Sequence, residues 1–553
     1  MKNRVIILFF VGFWLVFASC GTSKSKRHLP DVTNYNTVKP VVTKQSDTVF
    51  ISGKNSFLKN KQGLWELYVE GGPFEIGLTT GALSDSLLQQ QEKIFFSRIE
   101  DIVPSKLQQK ILRNFLKWYN RKLYTNVPEE YQTEIYGVSQ YTSQNFNDIA
   151  PQYQRSLYLH AAHDIGHALQ DLALVGCSSF AAWGEKSENG SLILGRNFDF
   201  YVNDAFAENK IVAFIKPEEG YPFMMVTWPG MIGAVSGMNK EGLTVTINAS
   251  KSKIPMSAKT PISILTREIL QHAKNIEEAI AIAKKRKVFV SESIMVGSAQ
   301  DNKAILIEVS PRKMDVYDVP NSNQLICSNH FQSNNLKNDK RNQSQITTSH
   351  SKYRYDRMQE LFSEKPKINP EIASEILRNK EGLENISLGY GNEKALNQLM
   401  AHHGIIFKPK EKRVWVSANP YQLGEFVCYN LDSVFKERKT DFIISFEEEK
   451  LTIPKDPFLE TAAFQNYQKF RIEDHKIDVF LKNKTEITSE FIANYQSLNP
   501  DYWVVYYKAG LYFYQKKQFH LAQNNFEKTL TKEITTTPEK TTIEKYLKKI
   551  KRK

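Results

Sequence analysis

Val-Gly-Cys-Ser-Ser-Phe at 175–180 and Gly-Arg-Asn-Phe-Asp-Phe at 195–200 decide how this chain is read. Between them lie Ala-Ala-Trp-Gly (181–184), a polar turn, and a short apolar run from Leu192 to Leu194. A cysteine acts as a nucleophile only as thiolate, so it needs a nearby base or positive charge. A cysteine at a chain terminus brings its own base, because an α-amino group has a pKa of about 7.7–8.0, close to where a general base works best. The layout suits a chain that is cut before Cys177. Arg196 would then stabilise the thiolate, and Asp199 would accept from the α-ammonium and orient it. Side chains alternate along a strand, so bringing Arg196 and Asp199 to one place predicts a bend at Asn197–Phe198. Taken alone, Cys177 also reads as a small buried apolar residue, and Arg196 with Asp199 as a surface ion pair.

Three further stretches join these two. Gly-Met-Asn-Lys-Glu-Gly-Leu-Thr-Val-Thr-Ile-Asn (237–248) is a strand-turn-strand whose β-branched run ends in Asn248. Cys-Ser-Asn-His-Phe (327–331) contains Asn329, and Ser-Lys-Tyr-Arg-Tyr-Asp-Arg (351–357) contains Arg354 and Arg357. In isolation the asparagines read as turn formers. The arginines read as exposed charges on a helix, since Tyr353 to Phe362 has helical spacing, and Arg357 keeps that reading.

Together, and in this order, these motifs resemble the N-terminal-nucleophile (Ntn) hydrolases of the choloylglycine hydrolase, penicillin V acylase and penicillin acyltransferase group. The resemblance spans about 170–435, and the acyl-CoA:6-aminopenicillanic acid acyltransferase branch, which processes itself before a cysteine, is most similar. It implies an α/β fold: a four-layer αββα sandwich of two antiparallel sheets. It also implies catalytic roles for Cys177, Arg196, Asp199, Asn248, Asn329 and Arg354, with Asn248 in the oxyanion hole and cleavage between Gly176 and Cys177. An asparagine NH₂ suits a developing oxyanion, and losing one such donor costs about 10²–10³ in rate. The chain departs from the group in two respects. More than 150 residues precede Cys177, so internal cleavage alone can free its amine. The gap from Cys177 to Arg196 is also longer than in bile-salt hydrolases, which argues against bile-salt specificity.

The N-terminus, Met-Lys-Asn-Arg followed by an apolar run from Val5 to Phe17 and then Ala18-Ser19-Cys20, reads as a secretory signal peptide. The small residues before Cys20 are similar to a bacterial lipobox, with Phe17 where leucine is usual, and the apolar run is short of the about 20 residues a membrane span needs. The expectation is a lipidated Cys20 and a protein tethered to the bacterial cell envelope, facing outside the cytoplasm. Of four cysteines, Cys177, Cys327 and Cys428 remain, too few for a disulfide framework; Cys327 and Cys428 sit in apolar strand-like surroundings. Net charge is +13, with a basic tail at 545–553. On an exported chain that tail reads as solvated or membrane-facing, and no nucleic-acid partner is expected.

At 553 residues, more than one core is expected. The division read from the sequence is a signal peptide at 1–19 and a lipid-tethered linker at 20–48. A helical pro-segment or small subunit follows at 49–176, then the catalytic domain at 177–435. A connector at 436–473 leads to a helical region with a basic tail at 474–553. In that last part Tyr506, Gly510, Phe513, Ala522 and Phe526 follow tetratricopeptide spacing, in which small residues let two helices approach closely. It packs on the catalytic domain or receives a protein partner, and an ordinary helical hairpin fits equally. His160, His163 and His167 share one helix face, a spacing zinc sites use. No cysteine or second carboxylate cluster joins them, so packing or assistance near Gly176 is the reading, with no metal and no cofactor.

The function expected is an autoproteolytic N-terminal-cysteine amidohydrolase or acyltransferase. It would act on an acyl amide or acyl thioester, acyl-CoA among them, through a thioester, with the pro-segment staying associated after cleavage. Trp183, Phe200, Tyr201 and Trp228 are candidates for an apolar acyl pocket. The alternative is a non-catalytic envelope scaffold that keeps the fold and binds partners through its repeat-like tail.

Overall fold

Two β-sheets stacked face to face, with helices on both outer faces, organise the computed structural model, which describes residues 21–162, 164, 176–200, 202–251, 257–400, 402–436 and 444–552. The larger sheet has eleven strands. Four come from before Cys177: β1 (Thr43–Ser46), β2 (Val49–Ser52), β3 (Asn55–Lys59) and β4 (Trp65–Gly71). The sheet continues with β7 (Ile211–Pro217), β8 (Phe223–Thr227), β9 (Ser236–Asn239), β10 (Leu243–Ala249), β11 (Glu292–Ser298), β12 (Lys303–Val309) and β13 (Met314–Tyr317). The smaller sheet runs β14 (Gln324–Cys327), β5 (Ser178–Gly184), β6 (Gly190–Phe198), β15 (His403–Lys408), β16 (Arg413–Ser417) and β17 (Phe426–Asn430).

Neighbours in the smaller sheet are all antiparallel. In the larger sheet the expected antiparallel order fails at one place, where β4 pairs with β7 in parallel, Trp65 beside Ile211 through Gly71 beside Pro217. The helical expectation for 50–176 also fails for its first part. Trp65, Leu67 and Val69 alternate with Glu66 and Tyr68, a period of two that serves a sheet with both faces covered. Helices do follow, Pro73–Leu83, Asp85–Ile102, Lys106–Tyr119, Glu129–Ser139 and Gln152–His160.

Alternation sorts the residues into layers. Leu243, Val245 and Ile247 of β10 face the helices Ile262–His272 and Ile276–Lys285, in a core shared with Val69, Ile215 and Ile294. Phe214, Met238, Met295 and Leu306 face the other way, against Leu194, Phe407, Val416 and Val427 of the smaller sheet. Phe180, Ile193 and Ile406 cover that sheet's outer face against Met358, Phe362, Ile376 and Leu377, from helices Ser351–Glu364 and Pro370–Leu377. This is the four-layer αββα sandwich. Cys327 and Cys428 are buried free thiols within it.

Helices Ala462–Asn483, Ser489–Leu498, Trp503–Gln515, Phe519–Leu530 and Thr537–Ile550 form a helical region with its own aromatic core. Ala462–Asn483 crosses the 473/474 boundary read from the sequence. A Cβ at Gly510 would stand 2.7 Å from the Phe526 ring, so the helix pair requires a glycine there. Residues 1–19 and Cys20 lie outside the described residues, among which no helix is long and apolar enough to cross a membrane.

Candidate active site

Strands β5 and β6 lie side by side, with Ser178 opposite Asn197 and Ser179 opposite Arg196, and this register brings Cys177 to the end of Arg196. Leu192 and Leu194 point between the sheets, and Arg196 follows them into that layer. It is fully buried there, and its Nη2 donates to Cys177 Sγ at 3.7 Å and to the Ile247 carbonyl at 2.5 Å. Nη1 donates to the Val235 carbonyl at 3.2 Å and to Ser236 Oγ. The guanidinium also lies over the Phe198 ring, 4.2 Å from its centroid. Ser236 is joined in turn to His403 and His402 through ring-nitrogen contacts of 2.9 Å each.

The strand does not bend at Asn197–Phe198. It stays in register with β15 through Phe198, and Asp199 comes just beyond its end. Asn197 points to the opposite face, where its Nδ2 holds the carbonyls of Leu377 (2.8 Å) and Leu396 (2.9 Å). The Asp199 carbonyl accepts from the Gly176 N–H at 3.2 Å. Its carboxylate accepts from Gln422 Nε2 at 3.5 Å, while Oδ2 has no hydrogen-bond partner among the described residues.

Burial dominates the electrostatics of both groups. It pushes the Cys177 thiol up to about 11 against the opposing pull of Arg196, so at neutral pH the group is a thiol rather than a thiolate. It raises the Asp199 carboxyl to about 7, with Arg354 and Arg196 pulling the other way. A carboxyl near 7 can take and return a proton at neutral pH.

The remaining predicted residues converge on the same junction. Arg354 Nη1 donates to the Cys177 carbonyl at 2.6 Å and to Ser178 Oγ at 2.8 Å, and Nη2 donates to Asn329 Oδ1 at 2.5 Å. Asn329 Nδ2 donates to the Ala249 carbonyl at 2.9 Å, one residue past Asn248. Asn248 Oδ1 accepts from Ser179 Oγ at 2.7 Å, which leaves Nδ2 with one long contact, 3.4 Å to the Cys327 carbonyl. A donor so weakly held is available to an oxyanion. Arg357 differs from its expected exposed position. It is fully buried, tied to Glu360, Asn379 and Asn385, because the segment after the helix folds back over it.

Phe200 and Trp228 stack at 6.0 Å and line an apolar cavity of about 50 Å³ with Phe206, Met231, Leu88 and His160. Phe200 also stacks on Phe198, which links the cavity to the Arg196 platform. Trp183 is not part of it: as an alternating β5 residue it fills the inter-sheet core. Tyr201 lies outside the described residues. Both ring nitrogens of His160 are engaged, Nδ1 with the Ser156 carbonyl (2.8 Å) and Nε2 with the Ile232 N–H (3.0 Å). Burial lowers its pKa to about 4, which makes it a neutral packing residue. His163 and His167 lie outside the described residues, among which no group of three or more His, Cys, Asp and Glu could hold a metal.

The sequence reading passed over Gln398. Its Nε2 donates to the Gly176 carbonyl at 3.0 Å, from a loop far along the chain that carried no motif to mark it.

A buried cysteine at the start of an inner strand, with an arginine reaching it from the next, thus sits within the four-layer αββα sandwich. Residues 185–420 match the sequence model of the acyl-coenzyme A:6-aminopenicillanic acid acyl-transferase family, and the resemblance to the group read from the motifs holds over that segment. The match takes in Arg196, Asp199, Asn248, Asn329 and Arg354 and begins just beyond Cys177. An uncharacterized protein of Archaeoglobus fulgidus is 24% identical over 279 residues, 46% of this chain and 45% of its own length. The N-acylethanolamine-hydrolyzing acid amidase of Caenorhabditis elegans is 22% identical over 207 residues, 36% of this chain and 56% of its own. The chain thus spans about half the length of these relatives. The solved structure of a Caenorhabditis elegans ortholog of that amidase superposes with a TM-score of 0.32 at 17% identity, covering 42% of this chain and 93% of that one.

Proposed function

We propose that this chain is a self-processing cysteine amidohydrolase or acyltransferase, cut between Gly176 and Cys177, that acts on an acyl amide or acyl thioester. The observation that carries the reading is the Gly176–Cys177 junction itself: Arg196 on the thiol, Arg354 on the following carbonyl, and the Asp199 carbonyl on the Gly176 N–H. The match to an acyl-transferase family across the adjoining segment supports it.

In the uncut chain the Cys177 nitrogen is an amide and cannot serve as base. The Asp199 carboxylate takes the thiol proton and returns it to the departing nitrogen. Once cut, the α-amine has a pKa of about 7.7–8.0 before perturbation and becomes the base for substrate. The thiolate attacks the acyl carbonyl, Asn248 Nδ2 donates to the oxyanion, and the amine or thiol leaves with the proton. Water, or an acceptor amine, resolves the thioester. The apolar cavity favours an apolar acyl group, a reading in keeping with the acylethanolamides named for the nematode relative.

The segment before the cut stays attached. Phe57, Trp65, Leu67 and Val69 are buried in the shared core, and each such side chain contributes about 1.5–3 kcal/mol. The bidentate Arg267–Glu134 pair crosses the same boundary. We further infer a lipidated Cys20 and an envelope location outside the cytoplasm, from the charged start, short apolar run and small residues before Cys20. The test of function is release of fatty acid from N-acyl amides by the purified protein, lost in Cys177→Ala, with the acyl-enzyme trapped by hydroxylamine. No release from any acyl amide or acyl thioester would reject the enzyme reading.

A further inference from the structure

We propose that Gln398 is the oxyanion donor for the backbone cleavage at Gly176, a donor separate from the Asn248 that serves substrate. The proposal rests on the self-processing reading. Gln398 is 2% exposed, and its Nε2 donates to the Gly176 carbonyl at 3.0 Å. That oxygen belongs to the bond to be cut, and it gains negative charge when the thiolate adds. The side chain lies flat against the glycine: a Cβ at Gly176 would stand 2.2 Å from Nε2 and 2.8 Å from Oε1. A residue with any side chain at 176 would therefore push the donor away.

The loop holding Gln398 is fixed on every side. Asn197, from the strand that delivers Arg196, holds the Leu396 carbonyl at 2.9 Å. Asn397 is tied through its N–H to the Asn379 carbonyl (2.8 Å) and through its Nδ2 to the Tyr421 carbonyl (3.0 Å). Leu399 has a left-handed φ of 52°, and its carbonyl accepts from Tyr467 Oη at 3.1 Å. Tyr467 belongs to helix Ala462–Asn483, so the C-terminal helical region steadies the donor. A donor aimed in advance reorganises little as charge develops, which is why such groups matter to rate.

The chemistry balances. Cys177 Sγ bonds to the Gly176 carbonyl carbon, and the π pair moves to the oxygen held by Gln398. The pair returns as the bond from Gly176 to the Cys177 nitrogen breaks, and that nitrogen takes the former thiol proton through Asp199. Water then adds to the thioester, releasing a Gly176 carboxyl group and the Cys177 thiol. Asn248 meets Ser179 and the Cys327 carbonyl, whereas Gln398 meets the Gly176 carbonyl, so the two donors address different oxygens.

The test is a time course of intact mass on freshly purified full chain. Gln398→Met, a near-isostere without the N–H donor, should slow cleavage by about 10²–10³-fold, while thermal melts report folding. Cleavage at the wild-type rate in the folded variant overturns the proposal while self-processing stands. The double variant Gly176→Ala with Gln398→Ala separates donation from packing, because the new methyl group fills the vacated space. It should stay slow; recovery to the wild-type rate would make Gln398 a spacer and overturn its donor role. A wild-type chain that never cleaves at this bond overturns both the donor role and the self-processing beneath it.

Discussion

Arg354 and Cys177 meet through the backbone: the guanidinium Nη1 donates to the Cys177 carbonyl at 2.6 Å, while Nη2 holds Asn329 at 2.5 Å. One fully buried arginine thus fixes the Cys177 backbone and the Asn329 side chain together. Arg354→Lys keeps the charge but cannot span the Cys177 carbonyl, Ser178 Oγ and Asn329. Hydrogen bonds to a charged group contribute about 1.5–3 kcal/mol each, so the variant should melt earlier and turn over at least about tenfold more slowly. Denaturant melts and steady-state kinetics check both.

Arg196 and Arg357, both buried, should part ways in a thiol assay. Arg196→Ala removes the cation that, among the described residues, donates to Sγ, so the thiol pKa rises further and alkylation shifts to higher pH. Arg357 holds Glu360, Asn379 and Asn385, and losing it should cost about 1–3 kcal/mol of stability with the alkylation profile unchanged. Equal profiles for wild type and Arg196→Ala would remove the thiolate-stabilising role.

That contrast shows where the sequence was legible. Cys177, Arg196, Asp199, Asn329 and Arg354 carried motif spacing; the β5–β6 register brings Cys177 to Arg196, and helix Ser351–Glu364 carries Arg354 to the Cys177 carbonyl and Asn329. Trp65 to Val69 also alternated visibly. The run of helices that follows from Pro73 drew the reading toward helix, and the parallel partner, β7, lies far along the chain. Arg357 looked exposed because helical spacing says nothing of the loop that later covers it. Gln398 offered no local pattern at all. Its role follows from packing among Asn197, Asn379, Tyr421 and Tyr467, contacts distant in sequence.

Asp199 predicts a pH dependence with a definite sign. Its carboxyl titrates near 7 when folded, against about 3.9 when unfolded. The folded state therefore binds more protons between those values, and stability falls as pH rises from about 4 to about 7, then levels. Asp199→Asn removes that slope. Relative to wild type it should gain stability at pH 8 over its standing at pH 4, by urea melts, while backbone cleavage slows.

Cys20→Ala should abolish lipid attachment and leave the protein soluble or with its leader uncleaved, while acyl chemistry at Cys177 survives. Fractionation with metabolic lipid labelling checks it. A cleaved, unlipidated chain still tightly bound to membrane would shift anchoring to the basic tail at 545–553.

The most direct measurement is the intact mass of the purified wild-type protein beside Cys177→Ala. The account predicts two wild-type chains that co-purify, the second beginning at Cys177, and one full-length chain in the alanine variant, with Cys177→Ser cleaving slowly. A wild-type protein that remains a single uncut chain, or an alanine variant that still splits at Gly176–Cys177, would contradict it and leave a scaffold with the fold but not the chemistry.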